Sequence, residues 1–350
     1  MKIHISNCNK KAPGHFINLI ADAFEKKGHE VFKFDSADYS SFNLTIDRIV
    51  RRSPLFLLTK RRPESFNFKQ KHKEFIGEQW LKTLREFNPE IILLINTGWI
   101  SQRVIKIARE NFKITKIICW VVDDPRMSAA EDLVNFLPYC DIVPIVDPGW
   151  IPFVSFFNKK VFYLPLASSD IFYKSLNRPR DLDFSFVGSF FVKDPAGFLR
   201  AYLISSIPLK YKTEIYGPGI NYFRNIYPQL KNFNCYDKNI SESELNKLWN
   251  RSKLTACIYH PQVIHGTAPR VFDAALTKTP QIIQETSTIC DLFPGVKLPL
   301  FNSVEKFVSE IEYYLNHPKE REDLAEAMFE VVKTKHLFIH RVETIINSLK

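Results

Sequence analysis

The 350-residue chain has no apolar run approaching the roughly 18 residues that a membrane span requires, which argues against a spanning helix. It has no secretory leader pattern: Met1-Lys-Ile-His-Ile-Ser6 goes straight into strand-like alternation. It has no C-x-x-C pair. The six cysteines (Cys8, Cys119, Cys140, Cys235, Cys257 and Cys290) are scattered, which fits reduced, mostly buried thiols in a cytoplasmic protein and disfavours both a zinc site and a disulfide framework. There is no low-complexity tract and no short repeat. Helix-turn-helix, zinc-finger and RNA-recognition patterns are missing as well, so nucleic acid is not the expected partner.

What is present suits a soluble α/β protein. Hydrophobic residues make up 45% and charged residues 25%, and 30 Phe with 13 Tyr supply material for cores and an aromatic-lined cleft. The length exceeds what one compact core usually holds, so two domains are expected. The formal net charge is +10. Between Arg48 and Lys73 nine Lys/Arg face one acid, Glu64, a local balance of +8. Such a segment is either a solvated basic loop or a surface for anionic partners, including peripheral contact with an anionic membrane face or a lipid-diphosphate acceptor.

Hydrophobic periodicity gives a βαβ rhythm. A strand over 2–6 leads through a polar loop to a helix with Phe16, Leu19, Ile20, Ala23 and Phe24 at helical spacing. Gly28 ends that helix and a second strand covers 29–34, which implies a parallel sheet. A helix over 75–87 precedes Ile91-Ile-Leu-Leu-Ile95, a run continuous enough for a strand buried on both faces. A helix over 102–111 and strands over 116–122, 141–146 and 161–165 close the first half. The charged stretch 177–183 reads as a linker. The second half has strands at 184–188, 213–216 and 254–259 and a helix at 242–250.

The stretch His265-Gly-Thr-Ala-Pro-Arg-Val-Phe-Asp273, running on to Gln281-Ile-Ile, reads as turn, short helix and strand. Its spacing puts His265 on the loop before the helix and Asp273 inside it, both able to face one ligand. Amides at the helix start, with Arg270 one turn in, suit a diphosphate, and Asp273 suits ribose hydroxyls. An ordinary α/β crossover with a buried turn is the other reading of the same residues.

Five segments together resemble glycosyltransferases of the GT-B fold, and within them the spore-maturation CgeB-like family. They are Ala23–Val31; Cys119-Trp-Val-Val-Asp-Asp-Pro125; Tyr163-Leu-Pro-Leu-Ala with Phe186-Val-Gly-Ser; Pro269-Arg-Val-Phe-Asp-Ala-Ala275; and Tyr314–Arg321 with Lys335-His-Leu-Phe-Ile-His-Arg341. The resemblance implies an α/β fold of GT-B architecture, with two Rossmann-like parallel-sheet domains facing across a cleft. Residues 1–167 would form the acceptor domain and 168–334 the nucleotide-sugar domain, with 335–350 crossing back to the first. It implies a nucleotide-diphosphate sugar as donor, its base open. A glycan, glycolipid or protein hydroxyl would be the acceptor, and neither a metal nor a tightly bound cofactor would be needed. Inversion and retention stay open. Many such enzymes carry Glu-x7-Glu where this chain has His265 and Asp273, and Lys278 stands where glycine is common. These departures make a non-catalytic GT-B-like binding or assembly protein the alternative.

Glycosyl transfer needs a stabilised leaving diphosphate and an oriented, often deprotonated, acceptor hydroxyl. Candidate bases are His15, at the loop-to-helix junction of the first βα unit, and Asp123 and Asp124, at the carboxyl end of a buried strand. Asp124, before Pro125, reads equally as a cap. Candidates for the donor are Arg270, Lys193 and Arg200 for the diphosphate, Gly188, Gly217 and Gly219 for close backbone approach, and His265, Gly266, Thr267 and Asp273 in the motif. Arg270 reads alternatively as the partner of a helix acid. Asn96-Thr-Gly-Trp99, at a strand end, is a candidate lining for the acceptor side.

Overall fold

The structure is a computed structural model that describes residues 1–8, 12, 14–39, 68–95, 100–126 and 131–350. Asn96–Trp99 and residues 48–67 of the basic segment lie outside the described residues. The chain forms two compact units. Unit 1 comprises Met1–Val146, Trp150–Leu164 and Val342–Lys350; unit 2 comprises Asp147–Gly149 and Pro165–Arg341.

Unit 1 is built on parallel strands β1 (Lys2–Ile5), β2 (Glu30–Lys33), β3 (Ile91–Ile95) and β4 (Lys116–Trp120), in the order β2-β1-β3-β4. Single bridges Ile118–Ile142 and Val121–Ile145 lead from β4 to a parallel pair, β5 (Val143–Ile145) and β6 (Val161–Tyr163). The five residues of β3 are all buried, as their unbroken apolar run requires of a central strand. The intervening helices are α1 (Phe16–Lys26), α2 (Phe68–Phe87), α3 (Gln102–Asn111), α4 (Glu131–Phe136) and α5 (Ile151–Val154). Helix α1 buries Ile17, Leu19, Ile20, Ala23 and Phe24 and stops at Gly28, whose φ of +79° only glycine adopts without strain. Helix α2 begins seven residues before the start that periodicity suggests, because the polar Lys69-Gln-Lys-His-Lys73 turns carry no apolar stripe.

Unit 2 is one six-stranded, all-parallel sheet: β7 (Leu182–Val187), β8 (Thr213–Tyr216), β9 (Asn234–Tyr236), β10 (Ser252–Cys257), β11 (Gln281–Gln284) and β12 (Leu300–Phe301) in the order β12-β11-β10-β7-β8-β9. Its helices are α6 (Pro195–Ser205), α7 (Ile220–Ile226), α8 (Glu242–Arg251), α9 (Arg270–Leu276), α10 (Ile289–Leu292), α11 (Val304–Asn316) and α12 (Pro318–Lys335); α13 (Phe338–Asn347) carries the chain back into unit 1. Ser241 and Glu244 form a reciprocal capping box that starts α8.

The stretch 177–183 is not a loose linker. Strand β7 already begins at Leu182, and the Arg180 guanidinium donates to the carbonyls of Trp249, Ser252, Thr277 and Lys278 and to the Thr279 hydroxyl. A planar fork of five N–H groups satisfies several strand-end and helix-end carbonyls at once, which an ammonium could not do.

Candidate functional site

In unit 2 the donor-site candidates lie on the loops that leave the carboxyl ends of β7, β8 and β10 and on the helices α6 and α9 that follow, the edge where parallel α/β sheets place ligands. The three glycines have packing causes. A Cβ on Gly217 would lie 1.8 Å from the Gly188 carbonyl oxygen, and one on Gly219, where φ is +90°, 2.3 Å from that of Phe190. One on Gly188 would lie 2.9 Å from the Phe186 ring. The loops after β7 and β8 therefore touch backbone to backbone. The close backbone approach expected of Gly217 and Gly219 is made to the Gly188–Phe190 backbone.

Arg200, on α6, is half-buried and committed. It donates to the carbonyls of Ser189 (3.0 Å) and Ile258 (3.2–3.3 Å) and so ties the ends of β7 and β10 together. Burial, then the charge of Arg270, lowers its pKa. It positions loops, contrary to the expected phosphate contact. Lys193 is exposed and has no ion-pair partner among the described residues. Arg270 opens α9. Its Nη1 donates to the Val187 carbonyl at 3.0 Å, which replaces the suggested helix-acid pair and holds the exposed guanidinium over the end of β7.

Asp273, one turn on, is buried. Its Oδ1 accepts from the Ser168 hydroxyl at 2.6 Å, and its Oδ2 has no partner among the described residues. Desolvation drives its pKa up to about 7, against the Ser168 hydrogen bond and the Arg270 charge, which pull it down. A carboxylate fixed through one oxygen and open at the other is a preorganised acceptor for a hydroxyl donor.

The motif's amides behave differently from the expectation. The Asp147 carboxylate is 1% exposed and accepts from the backbone N–H of Ile264 (2.7 Å), His265 (3.2 Å), Gly266 (3.0 Å) and Gly149 (2.8 Å). An anion already fills this nest, so the His265 and Gly266 amides do not face a diphosphate. Gly149 is small because a Cβ there would lie 2.9 Å from Ile264 and 3.1 Å from the His265 ring. His265 is exposed, its carbonyl held by Thr288. The Thr267 hydroxyl is spent on Tyr259 at 2.9 Å. Lys278 does adopt a left-handed cap, with φ of +55°. Its Nζ pairs with Glu326 at 2.6 Å and sits over the Phe329 ring on α12, so it adds no charge near the site.

In unit 1, His15 occupies the N-cap position of α1 without capping it, its ring 4.7 Å from that of Phe16. Asp123 and Asp124 follow β4, separated from β1 by β3. The two carboxyls are pushed apart. Partial desolvation raises the pKa of Asp123, while hydrogen bonds from Arg126, guanidinium and backbone both, lower that of buried Asp124. Asp124 is locked in a local turn and is no free base. Among the described residues no three His, Cys, Asp or Glu side chains gather as metal ligands would.

Sequence reasoning passed over Asp147 and Ser168. Asp147-Pro-Gly149 carries the strand-end signal that singled out Asp123-Asp-Pro125; Ser168 carries none. It also passed over the inside of the Lys335–Arg341 segment. Buried Arg341 donates to the carbonyls of Pro165, Leu166 and Lys335 and to His336 Nδ1, and His336 Nε2 donates to Leu292 O at 2.6 Å. The His336 ring stacks on Phe272 of α9 at 4.6 Å.

A family model described as glycosyl transferase-like matches residues 198–347, which covers most of unit 2. No curated protein matches the sequence. Solved structures match over the full length. The sucrose-phosphate synthase of Thermosynechococcus elongatus superposes with a TM-score of 0.69 at 11% identity, covering 99% of this chain and 98% of that one. HepE of Anabaena in complex with UDP gives 0.64 at 11%, covering 100% and 99%. The catalytic domain of starch synthase IV from Arabidopsis thaliana, bound to ADP and acarbose, gives 0.64 at 12%, covering 98% and 99%. The fold is GT-B. Likeness at this identity carries the fold and not the residues, so the roles at the GT-B strand ends rest on their own geometry. No helix among the described residues is long and apolar enough to cross a membrane.

Proposed function

We propose that this GT-B protein is a glycosyltransferase that moves a sugar from a nucleotide-diphosphate donor to a hydroxyl of a glycan, glycolipid or protein, without a metal. Unit 2 takes the donor and unit 1 supplies the acceptor side, on cytoplasmic ground. The finer relationship we favour is to CgeB-like proteins, on the five segments quoted above. The observation that carries the reading is Asp273. Its Oδ1 is fixed by Ser168, its Oδ2 is open, and Arg270 stands one turn away on a sheet edge suited to ligands.

In this account Asp273 accepts from ribose hydroxyls. Arg270, anchored through one nitrogen on Val187, turns its remaining N–H groups to the diphosphate, where charge builds as the bond to the sugar breaks. Lys193 adds charge from the same edge, and His265 offers a donor to sugar or phosphate. Asp123, its carboxyl pKa raised, or His15 takes the acceptor proton. That UDP and ADP accompany two of the similar structures makes them the first bases to try.

A non-catalytic binding role is favoured by one observation: the Asp147 carboxylate fills the loop amides that would otherwise receive phosphate. A donor-hydrolysis assay separates the two readings, since turnover of a nucleotide sugar, with or without acceptor, requires the enzyme. Binding itself is tested by thermal shift against UDP, GDP, TDP, CMP, ADP and their sugars. At about 100 times its dissociation constant, a ligand stabilises the fold by roughly 2.7 kcal/mol. Asp273→Ala and Arg270→Ala are expected to abolish that shift.

A further inference from the structure

Helix α6 is apolar on two sides. It turns Ala196, Gly197, Ala201, Leu203 and Ile204 inward, yet Phe198, Leu199 and Tyr202 are exposed, Tyr202 by 49%. Helix α7 repeats the pattern: Ile220 and Phe223 are buried while Tyr222 and Ile226, one turn apart, are exposed. The two helices join edge to edge through the Phe198–Phe223 and Tyr202–Tyr227 ring contacts, so their outer faces form one surface. Of the fifteen exposed large apolar residues among those described, eight fall between Phe191 and Ile226. That concentration is not the scatter of single apolar side chains normal on a protein surface. A helix apolar all round is either buried or meets something other than water.

Charge identifies what it meets. From Ser189 to Asn232 the chain has six Lys/Arg and two acids. Neither acid opposes an anion at the surface: Asp194 caps α6 and faces His260, and Glu214 is buried. Lys193 and Lys231 are exposed and without an ion-pair partner among the described residues. The exposed Asp237 carboxylate at the start of α7 is taken up by the amides of Gly219 and Asn221. Exposed Tyr and Phe with two unpaired lysines match a bilayer interface, where rings sit at headgroup depth and ammonium groups meet anionic lipid.

We propose that the outer face of α6 and α7 docks unit 2 on an anionic lipid surface. Phe198, Leu199, Tyr202, Tyr222 and Ile226 enter the interfacial layer while Lys193 and Lys231 meet the headgroups. Lys193 is on the loop after β7, so docking brings that strand-end edge to the lipid. The apolar face of α6 and α7 stands apart from the glycosyltransferase reading, with Lys193 the residue that the two share, and it is separate from the basic Arg48–Lys73 segment.

The test is co-sedimentation of the full chain with vesicles of phosphatidylglycerol mixed into phosphatidylcholine, against pure phosphatidylcholine. Binding is expected only to the anionic vesicles and is expected to weaken as salt rises. Leu199→Glu with Tyr222→Glu is expected to lower partitioning at least tenfold. Lys193→Gln with Lys231→Gln is expected to lower it about twenty-five-fold, at roughly a factor of five per lysine. An unchanged melting temperature in each variant shows that it is folded. If a variant unfolds, hydrogen exchange on the wild type replaces it, and protection of 191–231 by anionic vesicles is the expected result. Three results overturn the proposal: no binding to anionic vesicles, binding unchanged in both folded double variants, or a dimer in sedimentation equilibrium that Leu199→Glu with Tyr222→Glu dissociates.

Discussion

Asp273 sits under two opposing pressures. Its burial disfavours charge and raises the carboxyl pKa to about 7, while Ser168 and Arg270 favour the anion. A pKa raised on folding adds stability that is fully present below the unfolded value near 4 and is lost as pH rises through 7. Asp273→Asn keeps an acceptor for Ser168 and removes the charge. It is expected to gain on the order of 1–3 kcal/mol over the wild type between pH 5 and pH 8 in denaturant melts. Nucleotide affinity is expected to run the other way, stronger at pH 8 than at pH 6 in the wild type and flat in Asp273→Asn. His336 shows the opposite linkage. Burial, then Arg341, depresses its pKa to about 4, so its contribution is present above about 6.5 and lost as pH falls toward 4. His336→Gln, which can still donate to Leu292 O and accept from Arg341, is expected to flatten that acid-side fall in Tm.

At the scale of the element, glycines separate two kinds of constraint. Gly28 needs only its positive φ, with nothing within 4 Å of a built Cβ, and Gly28→Ala is expected to cost about 1–2 kcal/mol. At Gly217 the Gly188 carbonyl stands in the way. Gly217→Ala must separate two strand-end loops and is expected to cost more, about 2–3 kcal/mol, in the same melts. Lys278→Gly relieves the left-handed cap and gives up an exposed ion pair worth well under 1 kcal/mol, so it is expected to be neutral or slightly stabilising. The parallel strands were legible because burial on both faces writes continuous runs such as Ile91–Ile95 into the chain. The helix-and-turn around Asp273 was legible from local spacing. Asp147, 117 positions from Ile264, and Ser168, 105 from Asp273, were not, because a hydrogen bond between distant loops leaves no periodicity in either. The same holds for Arg180, whose charge reads as a linker until the carbonyls it gathers are seen.

For the whole molecule, the GT-B fold brings candidates for two roles to the carboxyl ends of two parallel sheets, and their geometry sorts them. Arg200, Asp124, Thr267 and the three glycines hold loops; Asp273, Arg270, Lys193, His265 and Asp123 keep groups open to a ligand. The measurement that tests this most directly is the thermal shift of the wild type, Asp273→Ala and Arg270→Ala with each nucleotide and nucleotide sugar. The account predicts that one base stabilises the wild type and neither variant. No shift with any nucleotide, or an equal shift in all three proteins, would contradict it.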